Sequence, residues 1–410
     1  MIRFMKQLWN DRRGNAIIIA AVTLPVVVGA AGLGTDTVQW VGWKRQLQRA
    51  ADSAAIAGVY GRAQSQDVNT AVGTDLDKNN HLWVPLLGGY PQVTTPADTS
   101  SMTYTTKVDL AVRQKLGFSS LFLATPPTIT VSATAAMIPD GNYCVVALQP
   151  GTDPGIYIGG SSNVHMGCGA ISNSLSATDS VKVMGGAHTF VADPVAAVGG
   201  ISSTINGAGE LQPFHVAMPD PYAGKFSTDI PAGETCTNFN HANKTNADGS
   251  KKPGCYNNFT AGLGTVLSPG TYYLNNTDIK LTGHDSVTGD GVTIILTGSS
   301  PGSVDMSGNS SLDLTAPTTG PYANMVLIQA PNAATGNNNT INGDNGTSLD
   351  GAIYFPQGDL TFTGSSAAAT QCAMIVSYTV AFSGNASVQN DTSSCTADTQ
   401  VQGKKVRLIA

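Results

Sequence analysis

Glutamate is almost missing from this chain. Its 410 residues hold 27 acidic side chains, of which only Glu210 and Glu234 are glutamate, and charged residues make up just 12% of the whole. Long solvent-facing helices favour Glu and Lys, whereas Asp, Asn, Gly, Ser and Thr favour turns and strand-rich surfaces, so most of the chain is expected not to be helical. Basic blocks are missing beyond the N-terminal tail, and a thinly spread net charge of -6 argues against nucleic acid as a partner. No Walker loop, dinucleotide fingerprint, zinc-spaced cysteine cluster or Gly-x-Ser-x-Gly elbow occurs. Nucleotide binding, structural zinc and serine hydrolysis therefore have no motif here, and neither a cofactor nor a metal is expected.

What is present begins with one long apolar run. Gly14 to Thr35 carry no charge, and Ala16 to Gly34 read AIIIAAVTLPVVVGAAGLG. As a helix these 19 positions would span roughly 28 Å, close to the hydrocarbon core of a bilayer. Arg3, Lys6, Arg12 and Arg13 precede the run against one acid, Asp11. A basic flank of this kind stays in the cytoplasm. We read residues 1–15 as a cytoplasmic tail, 16–35 as a single transmembrane helix in contact with the lipid bilayer, and the bulk of the chain as lying outside the cytoplasm. A cleaved secretory signal, cut near Val28-Gly29-Ala30, is the alternative and leads to the same side.

The span is followed by VQWVGWKRQLQRAADSAAIAGVYGRA, Val38 to Ala63. Trp40 and Trp43 lie where amphipathic rings favour the membrane interface. Ala50, Ala54 and Ala57 present small side chains that allow close helix packing, either against partner proteins or against the helix's own domain. Met102–Val112 and Thr128–Met137 read as strands on either side of the short apolar segment Leu116–Leu123. Residues 36–140 thus make a small α+β domain.

From residue 141 the character changes to short β segments that end at glycine: Gly160, Gly186, Gly283, Gly298, Gly308, Gly364 and Gly384. The intervals are 26 residues from Gly160 to Gly186, 25 from Gly283 to Gly308 and 20 from Gly364 to Gly384. Such a period is the signature of a solenoid, and a right-handed parallel β-helix over residues 141–410 is the expected fold, with an antiparallel sandwich as the alternative. Two polar stretches, near 213–262 and 331–346, read as excursions from it. The class is therefore mainly β. All six cysteines lie beyond the span, and an even number on the oxidising side of a membrane reads as disulfides. Cys144 and Cys168 are 24 residues apart and Cys372 and Cys395 are 23 apart, each about one repeat. Residues one coil apart lie about 4.8 Å from each other, so both pairs are expected to staple adjacent coils. Cys236 and Cys255 bracket one excursion and are expected to close it.

Parallel β-helices can support polysaccharide chemistry, which needs clustered acids and a base. Asp278, Asp285, Asp290, Asp305 and Asp313 are scattered among turn sequences with Lys280 as the one base among them, and aspartates at such corners are read as turn formers. His165 and His188 could stack on successive coils as a metal pair, although their offsets from the preceding glycine differ. Tyr272, Tyr273, Tyr322, Tyr354, Phe355 and Phe362 are read either as solenoid core or as an exposed platform for a surface glycan.

The N-terminal segment RRGNAIIIAAVTLPVVVGAAGLGTDTVQW, with KRQLQRAADSAAIAGV after it, resembles the opening of the TadE/TadG-like Flp pilus-assembly proteins of the bacterial tight-adherence system. Val112 to Ala136 does so too, with LGFSSLFL and ITVSATAAM. The later CVVALQP, LSPGTYYL, APTTGPYANMVLIQA and LDGAIYFPQGDLTFTG resemble the Gly/Ser-rich β-solenoid of some TadG-like members. The resemblance implies an inner-membrane protein, periplasmic or extracellular in bulk, whose partners are other pilus-assembly proteins. Gly14 is followed by Asn15, and the fifth position is Ile19 where the prepilin pattern has Glu, so the helix is read as a retained anchor. The Asp-x-Ser-x-Ser metal motif of many TadG proteins does not occur. The leading reading is a structural or interaction protein and not an enzyme. The other readings are a carbohydrate- or surface-binding adhesin and a membrane-tethered polysaccharide-active enzyme.

Overall fold

A supply of Ala, Ile, Val and Leu, with no acid between Gly14 and Asp36, carries one helix from Gly14 onward. In the computed structural model this is α1, Gly14–Ala63. Pro25 sits within its apolar part, where a missing backbone donor is tolerated. The structure describes residues 14–78, 84–185, 188–202, 204–342, 347–364, 367–392 and 401–409. The basic tail on which the orientation reading rests, together with Gly186 and Cys395, lies outside the described residues. The chain divides into two compact units, Met1–Ile138 with Lys405–Ala410, and Pro139–Lys404.

In the first unit a second helix, α2, Val68–Lys78, starts at Asp67. The Asp67 carboxylate accepts from the Thr70 N–H and hydroxyl, 2.8 Å each, which satisfies a free amide of the first turn. The strands β1, Gln92–Thr94, β2, Thr103–Arg113, and β3, Thr128–Ala147, follow. β1 pairs antiparallel with β2, and β2 with the first part of β3, from Arg113 opposite Thr128 to Thr103 opposite Met137. The alternation of TITVSATA buries Ile129, Val131, Ala133 and Ala135 on one side. Leu47, Ala51, Ala55 and Val59 of α1 and Val72 of α2 complete the core.

The second unit is a parallel β-helix-like solenoid in which three ladders of strands form three faces. Its first face stacks Gly254–Tyr256, Gly270–Asn275, Val292–Thr297, Met325–Gln329, the start of Ala352–Thr363 and the start of Ile375–Phe382, each parallel to the next. The ladder then passes to the end of β3, and on to Gly169–Ser172, Val195–Ala197 and Leu211–Gln212. The stack does not follow the order of the chain. The chain enters in the middle, coils outward to residue 212, returns to the far end, and coils back until its last turn lies on its first. The other two faces show the same junction, with Val380–Phe382 paired to Ile156–Ile158 and Ser387–Gln389 paired to Asn163–His165.

Residues 213–253 make the return as a strap along the first face. The Met218 N–H donates to Asn173 Oδ1 at 2.9 Å, the Tyr354 hydroxyl to Asp220 Oδ2 at 2.8 Å, and the Tyr322 hydroxyl to the Ser227 carbonyl at 2.6 Å. Lower down, the Thr297 hydroxyl donates to the Thr228 carbonyl at 2.5 Å, and the Thr237 N–H to the Cys255 carbonyl at 3.2 Å. The strap explains a difference between faces. Val304–Met306 and Ile279–Leu281 alternate buried and exposed, as one-sided strands should, whereas Val292–Thr297 and Met325–Gln329 are buried at every position because the core lies on one side and the strap on the other. Asn337–Asn342, within the second stretch read as an excursion, is a strand of the second face.

Gly160, Gly283, Gly308, Gly364 and Gly384 all fall at one corner, between the second and third faces, each with positive φ. At Gly160 a Cβ would run into the Gly384 backbone of the coil beneath, so both the φ of +69° and the close stacking call for glycine. Gly298 follows a first-face strand and belongs to a different corner.

Candidate membrane-proximal site

The sequence-predicted cysteines pair as expected where both partners are described. Cys144 and Cys168 are bonded across adjacent coils with Cα atoms 5.8 Å apart, and Cys236 and Cys255 are bonded with Cα atoms 4.4 Å apart, tying the strap to the first strand of the far end. Cys372 is also disulfide-bonded, and its expected partner Cys395 lies outside the described residues.

The candidate catalytic groups are not brought together. The Asp278 carboxylate accepts from the Ser303 N–H at 2.8 Å and its hydroxyl at 3.1 Å, and Asp285 accepts from the Thr282 N–H at 2.9 Å, so both hold corners. Lys280 stands beside Asp305 of the next coil. Burial, and then the charge of Asp290, push the Asp313 carboxyl above its ordinary value, and burial does the same to Asp350. His165 is opposite Val191 in its ladder, out of step with the buried His188, whose Nδ1 is 3.1 Å from the Gly185 carbonyl oxygen. Among the described residues no group of three or more His, Cys, Asp or Glu is placed to hold a metal.

Of the two readings of the aromatics, the solenoid core is the one the structure shows, and the exposed platform is not. Tyr272, Tyr273, Tyr322, Tyr354, Phe355 and Phe362 are all buried, none more than 8% exposed. Tyr222 of the strap packs edge-on against Tyr354, and Phe226 at a tilt against Tyr322, with ring centroids 5.5 and 6.3 Å apart. Burial and the neighbouring Asp220 hold the Tyr354 phenol far above its ordinary range. These side chains are core because the returning strap roofs them over.

The remaining candidates are on α1. Its apolar part is long enough to cross a bilayer and almost none of it is buried, whereas its second half is the wall of the first unit. Ala50 and Ala54 are buried in that wall, and Ala57 is half-buried beside a shallow hollow lined by Tyr60, Gly61, Thr70 and Ala71. Ala54 thus lies inside its own domain. Ala54→Leu should destabilise this unit by about 1–3 kcal/mol through overpacking, while Ala57→Leu should change it by less than about 0.5 kcal/mol. Thermal unfolding of the two variants in detergent checks this, and equal midpoints would refute it.

Between these halves lies a contact that the sequence reading did not single out. Asp36, 3% exposed, points its carboxylate at the loop after β2. The Phe118 N–H donates to Oδ1 at 2.9 Å, and the Ser119 N–H and hydroxyl both donate to Oδ2 at 2.5 Å. Charge-assisted bonds of this kind are about twice as strong as neutral ones. One turn earlier in the helix, the Phe118 ring covers Gly32 so closely that a Cβ there has no room. The loop continues as the short 3-10 turn Ser119–Leu121 and then Phe122-Leu123. The available signal was a lone acid directly after the uncharged run, together with the apolar tip LFL. Nothing local connects the two; the clasp joins Asp36 to Phe118, 82 residues away.

Residues 14–65 match the family model described as Putative Flp pilus-assembly TadE/G-like. The match begins where α1 begins and ends just past it. No curated protein and no solved structure matches the chain.

Proposed function

We propose that this chain is a membrane-anchored component of Flp/Tad-type pilus assembly with a structural role, presenting a β-solenoid on the extracytoplasmic side for contact with other assembly proteins. The observation that carries the reading is the coincidence of the family match with α1, the one described helix long and apolar enough to cross a bilayer. Three further observations favour an interaction role over chemistry: corner aspartates bound to backbone, histidines out of step, and aromatics under the strap. The last of these also removes the main support for a glycan platform. A reporter that is active only outside the cytoplasm, fused after Ala410, should be active in cells. Native co-purification from the membrane fraction should bring down other pilus-assembly proteins. Cytoplasmic placement of the fusion would overturn the topology, and a membrane fraction free of assembly partners would overturn the assembly role.

A further inference from the structure

Three consecutive exposed apolar side chains are at the loop that Asp36 holds. Leu121, Phe122 and Leu123 are 75%, 74% and 51% exposed, and Phe122 stands 5.3 Å from the Phe118 ring that covers Gly32. Three consecutive bulky apolar residues this exposed are unusual at a water-facing tip. Their height is set by geometry. Gly32 belongs to the uncharged run that ends at Thr35, and Gly32 to Asp36 is one turn of helix, about 6 Å. If residues 16–35 cross a bilayer, a loop pinned across Gly32 and Asp36 is at the level where hydrocarbon gives way to headgroups.

We infer that Leu121-Phe122-Leu123 is a second membrane contact, an apolar wedge inserted into the leaflet next to the folded domain and fixed to the transmembrane helix by the Asp36 carboxylate. This rests on the membrane reading of α1. A lipid occupant is favoured over a protein one because the Phe118 ring, 5.3 Å from Phe122, lies on Gly32 of the apolar run, whose next residue Leu33 is itself 57% exposed. Whatever surrounds Gly32 also surrounds the loop. Asp36 contributes in two ways. Its three donors stand in for water around a carboxylate at the edge of the apolar zone, and they set the loop's direction. Trp40 and Trp43, one to two turns further on, are at the depth where indole rings favour the interface. Two attachments, one spanning and one wedged, would restrict the tilt of the first unit against the membrane, as a single helix cannot.

The test uses the full chain in phosphatidylethanolamine and phosphatidylglycerol vesicles, with lipids carrying a nitroxide quencher either near the headgroup or near the chain end. No described cysteine is free, so a fluorophore is placed on Leu24→Cys or on Phe122→Cys. The label at 24 should be quenched most by the deep nitroxide and the label at 122 most by the shallow one. Quenching at 24 without quenching at 122 would overturn the wedge and leave the membrane anchor standing. No quenching at 24 would overturn the anchor and the wedge together. Asp36→Ala should reduce quenching at 122 and leave it unchanged at 24, and undiminished quenching at 122 would overturn the part assigned to Asp36.

Discussion

Replacing Phe382 with alanine should cost about 3–5 kcal/mol, the range for deleting a large aromatic from a packed core. Phe382 is fully buried, its ring stacked 5.4 Å from Phe362 and tilted against Phe190 with centroids 5.7 Å apart. Its strand is also the last of the C-terminal run on the second face, paired in register with Ile158 of the first coil. The cavity would therefore open at the junction where no covalent connection leads from one coil to the next. Solenoid stability is close to a sum of coil terms and nearest-neighbour interfaces, so weakening one interface should divide the stack rather than loosen it evenly. Guanidinium unfolding followed by circular dichroism should show an earlier transition, and limited proteolysis should release the two runs as separate resistant fragments. A single transition shifted by less than about 1 kcal/mol would show that the junction carries little of the stability, against the magnitude expected for a buried aromatic.

The disulfide between Cys144 and Cys168 should matter nearly as much. It closes 24 residues, one complete coil, and the loop-entropy argument assigns such a closure roughly 3 kcal/mol. Cys144 is fully buried and Cys168 is 6% exposed, so a double substitution to serine also places two hydroxyls in a nearly dry site. The nearby Asn390 amide already donates to the Met166 carbonyl at 3.2 Å and the Ala373 carbonyl at 3.1 Å, linking the first coil to the last. Removing the staple should thus weaken the same junction from its other side. We expect Cys144→Ser/Cys168→Ser to lose about 2–4 kcal/mol in denaturant unfolding. A loss below about 0.5 kcal/mol would mean that coil stacking alone restrains the unfolded chain as much as the bond does.

Phe382→Ala and the cysteine pair act on a feature that no local pattern announces. Each coil offers the same backbone edges above and below, so hydrogen bonding is satisfied equally well by any neighbouring coil of matching shape. Which coil lies on which is decided by long-range complementarity, here the interlocking of Phe190, Phe362 and Phe382, and by a strap of the length needed to carry the chain back along the stack. Once that route is taken, the tyrosines of the first face must be covered.

By itself the sequence determined what short-range physics determines. The uncharged run set a helix of bilayer length, the recurring glycines set coil corners because positive φ and close stacking admit little else, and cysteines one coil apart set the staple. Burial on both sides was also present in VTIILT and MVLIQ, which do not alternate, although what would cover them was not. The tertiary structure alone decided the permuted order of the coils, the roof over Tyr322 and Tyr354, the placement of Ala54 inside its own domain, and the clasp of Asp36 on a loop 82 residues away. Each of these joins groups distant in the chain, and side-chain packing selects such contacts only after the local elements exist.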